Sequence, residues 1–165
     1  MKKHFFILLA VISLASCKSA KTTKIITKKK DTVVEHKNST ANSIINHAVS
    51  FEGVRYKYGG TTKKGMDCSG LIYVSFKKEN IDLPRMSRDM AKRGTKIKIV
   101  NVKEGDLLFF KTSKSRNVIN HVGLVTKVNE ESIRFIHATT SKGVLTSSLS
   151  ERYWKNAFVE ARRFL

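Results

Sequence analysis

Acidic residues are scarce in this chain: 13 Asp and Glu stand against 32 Lys and Arg, for a formal net charge of +19. That balance disfavours basic partners and admits nucleic acid, an anionic membrane or an acidic polymer. The excess is not confined to one tail. Residues 43–165 hold 23 Lys and Arg against 11 Asp and Glu, and residues 18–42 hold seven against two. Long apolar runs are also missing. The unbroken stretch Phe5 to Ile12 falls far short of the ~20 residues a membrane-spanning helix needs. Cys17 and Cys68 are the only cysteines, so at most one disulfide is available, and no internal repeat suggests a solenoid. What is present, 165 residues with 41% apolar content, suits one domain with a real core plus appendages.

The N-terminus narrows the three partner classes. Met1-Lys-Lys-His, the apolar run and the small residues before Cys17 read as a secretory signal. Leu14 to Cys17 is similar to the lipobox of bacterial lipoproteins, which implies a diacylated Cys17 as the first mature residue. The alternative is an ordinary signal peptide that is cut away together with Cys17. Either way export is expected, and no nucleic acid partner. Lys18 to Asn42 is rich in Lys, Thr and Ser, lacks aromatic residues and reads as a flexible tether. The expected organisation is a signal peptide at 1–16, a lipidated cysteine with a basic tether at 17–42, and one domain at 43–165. If Cys17 carries lipid, Cys68 has no partner in the chain and stays a free thiol. The absence of an acidic residue at Lys18 or Ser19 points, in a didermal host, to an outer-membrane lipoprotein facing the periplasm.

Helical spacing comes first in the domain. Ile44, Ile45, Ala48, Val49 and Phe51 form one broad face from Ser43, with Gly53 as the stop. The paired glycines Gly59-Gly60 give a tight path, and Tyr56 and Tyr58 beside them are either packing residues or phenols that close over a site. Asp67 is a good N-cap, and Leu71, Ile72 and Phe76 recur at helical spacing, so a helix begins at Cys68. Ile81 to Pro84 forms an extended break, and Ser87 is expected to cap a short helix ending at Gly94. Strands are expected at 96–100, 107–110, 122–128, 133–138 and 157–164, with a helical turn near 150–154 before the last. Helices first and strands afterwards argue an α+β fold, with N-terminal helices packed on an antiparallel β-sheet.

A cysteine in the first turn of a helix faces unpaired N–H groups and the positive end of the dipole. These can lower its pKa from about 8.5 into the range ~3.5 to 7.5, and can also hold an oxyanion. The competing reading is a small buried core cysteine. His121 stands where one strand begins and His137 where the next ends, joined by the turn Asn129-Glu130-Glu131. With 128 opposite 132, both histidines share a face with Gly123, Val125, Ile133 and Phe135. That face is the more apolar one, so it is expected to meet the Cys68 helix. A slip of one residue would separate the histidines. A thiol, an imidazole to take its proton and a second polar group to orient that imidazole make a cysteine-hydrolase set. A Cys-His-His zinc site is the other use of the same residues, but no second cysteine lies near.

Six motifs stand in order: Tyr56-Lys-Tyr-Gly-Gly, Asp67-Cys-Ser-Gly-Leu, Leu83-Pro-Arg-Met-Ser87, Gly105-Asp-Leu-Leu-Phe-Phe, His121-Val-Gly-Leu-Val and Phe135-Ile-His137-Ala. In these the domain resembles the NlpC family of papain-like cell-wall cysteine peptidases, and the whole chain resembles its small murein endopeptidase lipoproteins. The resemblance implies a papain-like cysteine peptidase fold, Cys68 as nucleophile, His121 as general base and then acid, and His137 as the residue that orients His121. It also implies Tyr56 beside the thiol, helping the Cys68 N–H with the oxyanion. Asp67, Ser69, Arg85 and Ser87 are implied substrate contacts, and Met90 stands where the family often has Gln. The implied activity is hydrolysis of peptidoglycan stem peptides or cross-links through a thioester. No metal or cofactor is expected, and the expected state is a monomer held at the membrane through lipidated Cys17. A wall-binding or scaffolding lipoprotein that has lost activity, and an amidase or acyltransferase on the same fold, are the alternatives.

Overall fold

The computed structural model describes residues 39–113 and 117–165, all within the contiguous unit Val34–Leu165. Residues 39–49 are helical (α1), ahead of the start expected at Ser43, and Ala41, Ile44, Ile45 and Ala48 are buried with Phe51 just beyond. Val49, expected on the same face, is 40% exposed at its margin. A small antiparallel hairpin, β1 (Thr61–Thr62) and β2 (Gly65–Met66), leads into α2 (Cys68–Lys77). The short α3 (Ser87–Met90) follows the Pro84 break. Ser87 is its first helical residue rather than its cap, because the cap position falls on Met86, which makes no side-chain bond. The helix also stops at Met90 instead of reaching Gly94.

The remaining chain builds one six-stranded sheet. Its strands are β3 (Thr95–Ile97), β4 (Leu107–Phe110), β5 (His121–Val128), β6 (Ile133–Thr139), β7 (Gly143–Ser148) and β8 (Phe158–Arg163). They lie in the order β3-β8-β4-β5-β6-β7, every neighbour antiparallel, and the fold is α+β. The strand expected at 96–100 ends at Ile97 and gives way to a 3-10 turn at Ile99–Asn101. Strand β7 was not expected, since Gly-Val-Leu-Thr-Ser-Ser alternates poorly. The turn before β8 is a helix, α4 (Arg152–Ala157).

Both faces of the sheet are buried, and this decides where the histidines go. One face presents Leu107, Phe109, Val122, Leu124, Ile136 and Ala138 to the α1 and α2 side, against Leu71, Ile72 and Phe76. The other presents Leu108, Phe110, Val125, Phe135 and Ala161 to Trp154 of α4. His121 and His137 lie on the second face, so the expectation that their face meets the Cys68 helix is corrected. Alternation could identify the shared face but not which layer covered it, because both are apolar.

The register contains a second correction. At the turn end Val128 pairs with Ile133 and Lys127 with Arg134, one residue off the expected pairing. Thr126 then bulges, and Val125 pairs with Phe135 and Leu124 with Ile136, which is the expected pairing. Carried through without the bulge, the offset would have put His137 on the face opposite His121. On the shared face a Cβ at Gly123 would sit 2.4 Å from Phe135 Cδ2, so that position must remain bare for the Phe135 ring to lie there.

Candidate active site

The entrance to α2 is held by one carboxylate. Asp67 is extended (φ −103, ψ 172) at the N-cap, and its Oδ1 accepts the Gly70 N–H at 2.6 Å. Its Oδ2 accepts the Gly59 N–H at 2.7 Å. Arg85 grips both oxygens, Nη1 to Oδ1 at 3.0 Å and Nη2 to Oδ2 at 2.7 Å, and also donates from Nη1 to Ser69 Oγ at 2.9 Å. Asp67 and Ser69 thus use their polar atoms on Arg85 and on the loop around them. The first turn of α2 runs hard against that loop: a Cβ at Gly70 would lie 2.1 Å from the Gly60 carbonyl oxygen. Backbone bonds from Lys57 N to the Met66 carbonyl and from Met66 N to the Arg55 carbonyl, both 3.1 Å, lay Tyr56 alongside the segment that leads to Cys68.

Cys68 is a free, partly buried cysteine on a cleft of about 440 Å³. Tyr56, Tyr58, Arg85, Ser87 and Arg88 line the cleft with it, and Val118 and Asn120 line the side where β5 begins. Met90 is fully buried in the core, so it offers the cleft nothing in place of the family's Gln. Burial first, and then the Asp67 carboxylate, push the Cys68 thiol up, while N–H groups of Val122, Ser69 and Cys68 itself oppose the shift. The depressed thiol pKa expected from the helix start is therefore corrected: the N–H groups are there, but desolvation and an adjacent anion outweigh them. Burial, Cys68 and Asp67 likewise push the Tyr56 phenol up, so it is a protonated donor at neutral pH.

The Val122 N–H that faces the sulfur belongs to the residue after His121, which brings the thiol to the end of the sheet where His121 stands. His121 is 8% exposed and His137 is fully buried. Nε2 of His121 lies 3.0 Å from Nδ1 of His137, leaving Nδ1 of His121 as the ring nitrogen not engaged by His137. Burial holds His121 down at about 4, and burial with the charge of His121 holds His137 down at about 3. Both rings are neutral at pH 7. A neutral imidazole can take the proton of a protonated thiol as the sulfur attacks, so these protonation states suit general-base catalysis without a standing ion pair.

Two contacts in this site had no place in the sequence reading. Trp154 lies nearly parallel to His121 (centroids 5.2 Å, 22°) and edge-on to His137 at 4.5 Å, covering both rings. Its signal was its being the only tryptophan in the chain, set just before the last strand. Ser147 Oγ lies 2.9 Å from Nε2 of His137 on the unexpected strand β7, and nothing in the sequence marked it. Cys17 lies outside the described residues. Among the described residues no three His, Cys, Asp or Glu side chains are grouped to hold a metal ion.

A family model described as the NlpC/P60 family matches residues 53–163. The chain is 44% identical over 115 residues to the "Probable endopeptidase NlpC" of Escherichia coli K12, covering 69% of this chain and 71% of that protein. It is 38% identical over 123 residues to the "Murein DD-endopeptidase MepS/Murein LD-carboxypeptidase" of the same organism, covering 74% of this chain but 62% of that one. Among solved structures, a lipoprotein-like NLP/P60 protein of Staphylococcus aureus superposes with a TM-score of 0.66 at 34% identity, over 76% of this chain and 41% of that one.

Proposed function

Because the chain belongs to the NlpC/P60 family, we propose that it is a cysteine-type peptidoglycan endopeptidase that hydrolyses stem peptides or their cross-links. The observation that carries this reading is the partly buried Cys68 on the cleft, at the start of α2, its sulfur facing the N–H of Val122, the residue after His121, whose ring is hydrogen-bonded to His137. The murein-hydrolysing names of its relatives give the substrate class. The strongly basic chain favours approach to an acidic polymer.

In the proposed cycle Cys68 Sγ attacks the scissile carbonyl carbon as its proton passes to Nδ1 of His121. The Cys68 N–H and the Tyr56 hydroxyl donate to the developing oxyanion. As the tetrahedral species collapses, His121 returns the proton to the leaving amine, and a thioester remains on Cys68. A water molecule then attacks the thioester with His121 again as base, which releases the new carboxyl terminus and the thiol. His137 orients His121 throughout, and Arg85 keeps the Asp67 charge from bearing fully on the sulfur. Arg88, Ser87 and the exposed face of Arg85 serve as the contacts for substrate carboxylates. No metal or cofactor takes part.

The domain acts as a monomer, and the segment between Cys17 and α1 tethers it through a lipid on Cys17 after removal of residues 1–16. Among the described residues no helix is long and apolar enough to cross a membrane. Mass spectrometry of muropeptides tests the activity directly. Incubation of purified peptidoglycan with the full chain should deplete cross-linked dimers or truncate stems, and Cys68→Ala should lose this while staying folded. No change in the muropeptides with the folded wild-type chain would instead favour a scaffolding protein.

A further inference from the structure

Beyond the His121–His137 pair, the hydrogen-bonded chain continues by one more side chain. Ser147 is 7% exposed, stands opposite Phe135 on the face that carries His137, and brings its Oγ to 2.9 Å from Nε2 of His137. We propose that Ser147 is a positioning residue for the hydrolysis: its hydroxyl oxygen accepts the Nε2–H of His137 and so sets the tautomer of both histidines. This rests on the functional reading above and extends it by one link.

A neutral imidazole has one N–H and one bare nitrogen, so protons in a chain of such rings can point only one of two ways. For His121 to take a proton at Nδ1, its own proton must sit on Nε2 and be donated to Nδ1 of His137, 3.0 Å away. His137 must then carry its proton on Nε2, and that proton needs an acceptor. In this buried place the Ser147 oxygen is that acceptor. In the reverse polarity Ser147 donates to His137, His137 donates from Nδ1 to Nε2 of His121, and His121 presents N–H rather than a lone pair to the thiol. Such an imidazole cannot act as the base. When Cys68 gives its proton to Nδ1 of His121, the protons on Nε2 of both rings stay in place.

Replacing Ser147 with Ala would leave the His137 Nε2–H buried without a partner, an unfavourable state for a donor, and would favour the reverse polarity. The test uses the full chain, labelled with ¹⁵N, and ring-nitrogen NMR at pH 7. In the wild type His121 and His137 should both carry the proton on Nε2, and in Ser147→Ala both should shift toward Nδ1–H. A second readout needs no peptidoglycan: alkylation of Cys68 by iodoacetamide, followed on its tryptic peptide, should slow by about tenfold to a hundredfold in Ser147→Ala. Ser147→Thr, which keeps the hydroxyl, should restore most of that rate. In muropeptide hydrolysis kcat should fall with KM little changed.

Nδ1–H on wild-type His137 would overturn the assignment, and so would unchanged tautomers and alkylation in a folded Ser147→Ala. If that variant does not fold, the wild-type tautomer decides. A wild type that shows the expected tautomers and the expected response but leaves peptidoglycan intact would sink the peptidase reading and keep Ser147 in its role.

Discussion

Acidification should weaken this fold well before its carboxylates titrate, and the two buried histidines set the size of the effect. Burial lowers His121 from 6.5 to about 4, and burial with the charge of His121 lowers His137 to about 3. The native pKa values lie below the unfolded ones, so between pH 6.5 and 4 the unfolded chain takes up protons that the native protein does not. Stability is complete above 6.5 and falls as the pH drops through that window. At pH 5 the loss is about 2 kcal/mol for each histidine, or roughly 4 kcal/mol for the pair. His47, also lowered by burial and by Lys78, adds to it with the same sign. Urea unfolding at pH 7.5 and pH 5 should show the midpoint falling by roughly 2 M, with an unchanged slope. His137→Gln should remove about half of the difference. Equal midpoints at the two pH values would mean that the histidines are not held neutral in the folded protein, and the general-base account would lose its footing.

Three further outcomes follow from the same geometry. Arg85→Ala leaves the Asp67 carboxylate buried beside Cys68 without its fork, so the thiol should move further up and its alkylation at pH 7 should slow. Its stability cost is about 1–3 kcal/mol, less than for a fully buried pair because the Arg85 side chain is 35% exposed. An unchanged alkylation rate would refute this electrostatic role. Trp154→Ala uncovers both rings and should cost about 3–5 kcal/mol. It should also move the acid limb of kcat/KM upward from near 4 toward 6.5, since burial is what depresses His121. Gly70→Ala should displace the first turn of α2 from the Gly60 carbonyl and cut hydrolysis far more than it cuts helix content, measured by product analysis beside circular dichroism.

Much of this site could be read from the sequence, though not always for the right reason. Asp67 as the cap of the Cys68 helix follows from local chemistry alone, and the structure has it bonded to the Gly70 N–H as such a cap should be. The shared face of His121 and His137 was reached through a register that is off by one at the turn, and Thr126 bulges to restore it. A bulge leaves little trace in a pattern of period two. The covering layer was misassigned because both sheet faces are apolar, and only tertiary structure puts Trp154 rather than α2 over the histidines. The direction of the Cys68 shift was misjudged because the helix end was weighed without the Asp67 anion and the burial around it. Strand β7, with Ser147, was missed because its polar run gives no alternation to follow.

The central claim is a covalent thioester on Cys68, and trapping it is the most direct test. The full chain should be mixed with purified peptidoglycan, quenched in acid within the first turnovers, digested and analysed by mass spectrometry. The Cys68 peptide should carry a stem-peptide acyl group that hydroxylamine removes and that is absent from Cys68→Ala. Products that accumulate while the Cys68 peptide stays unmodified, with Cys68→Ala still active, would contradict the account.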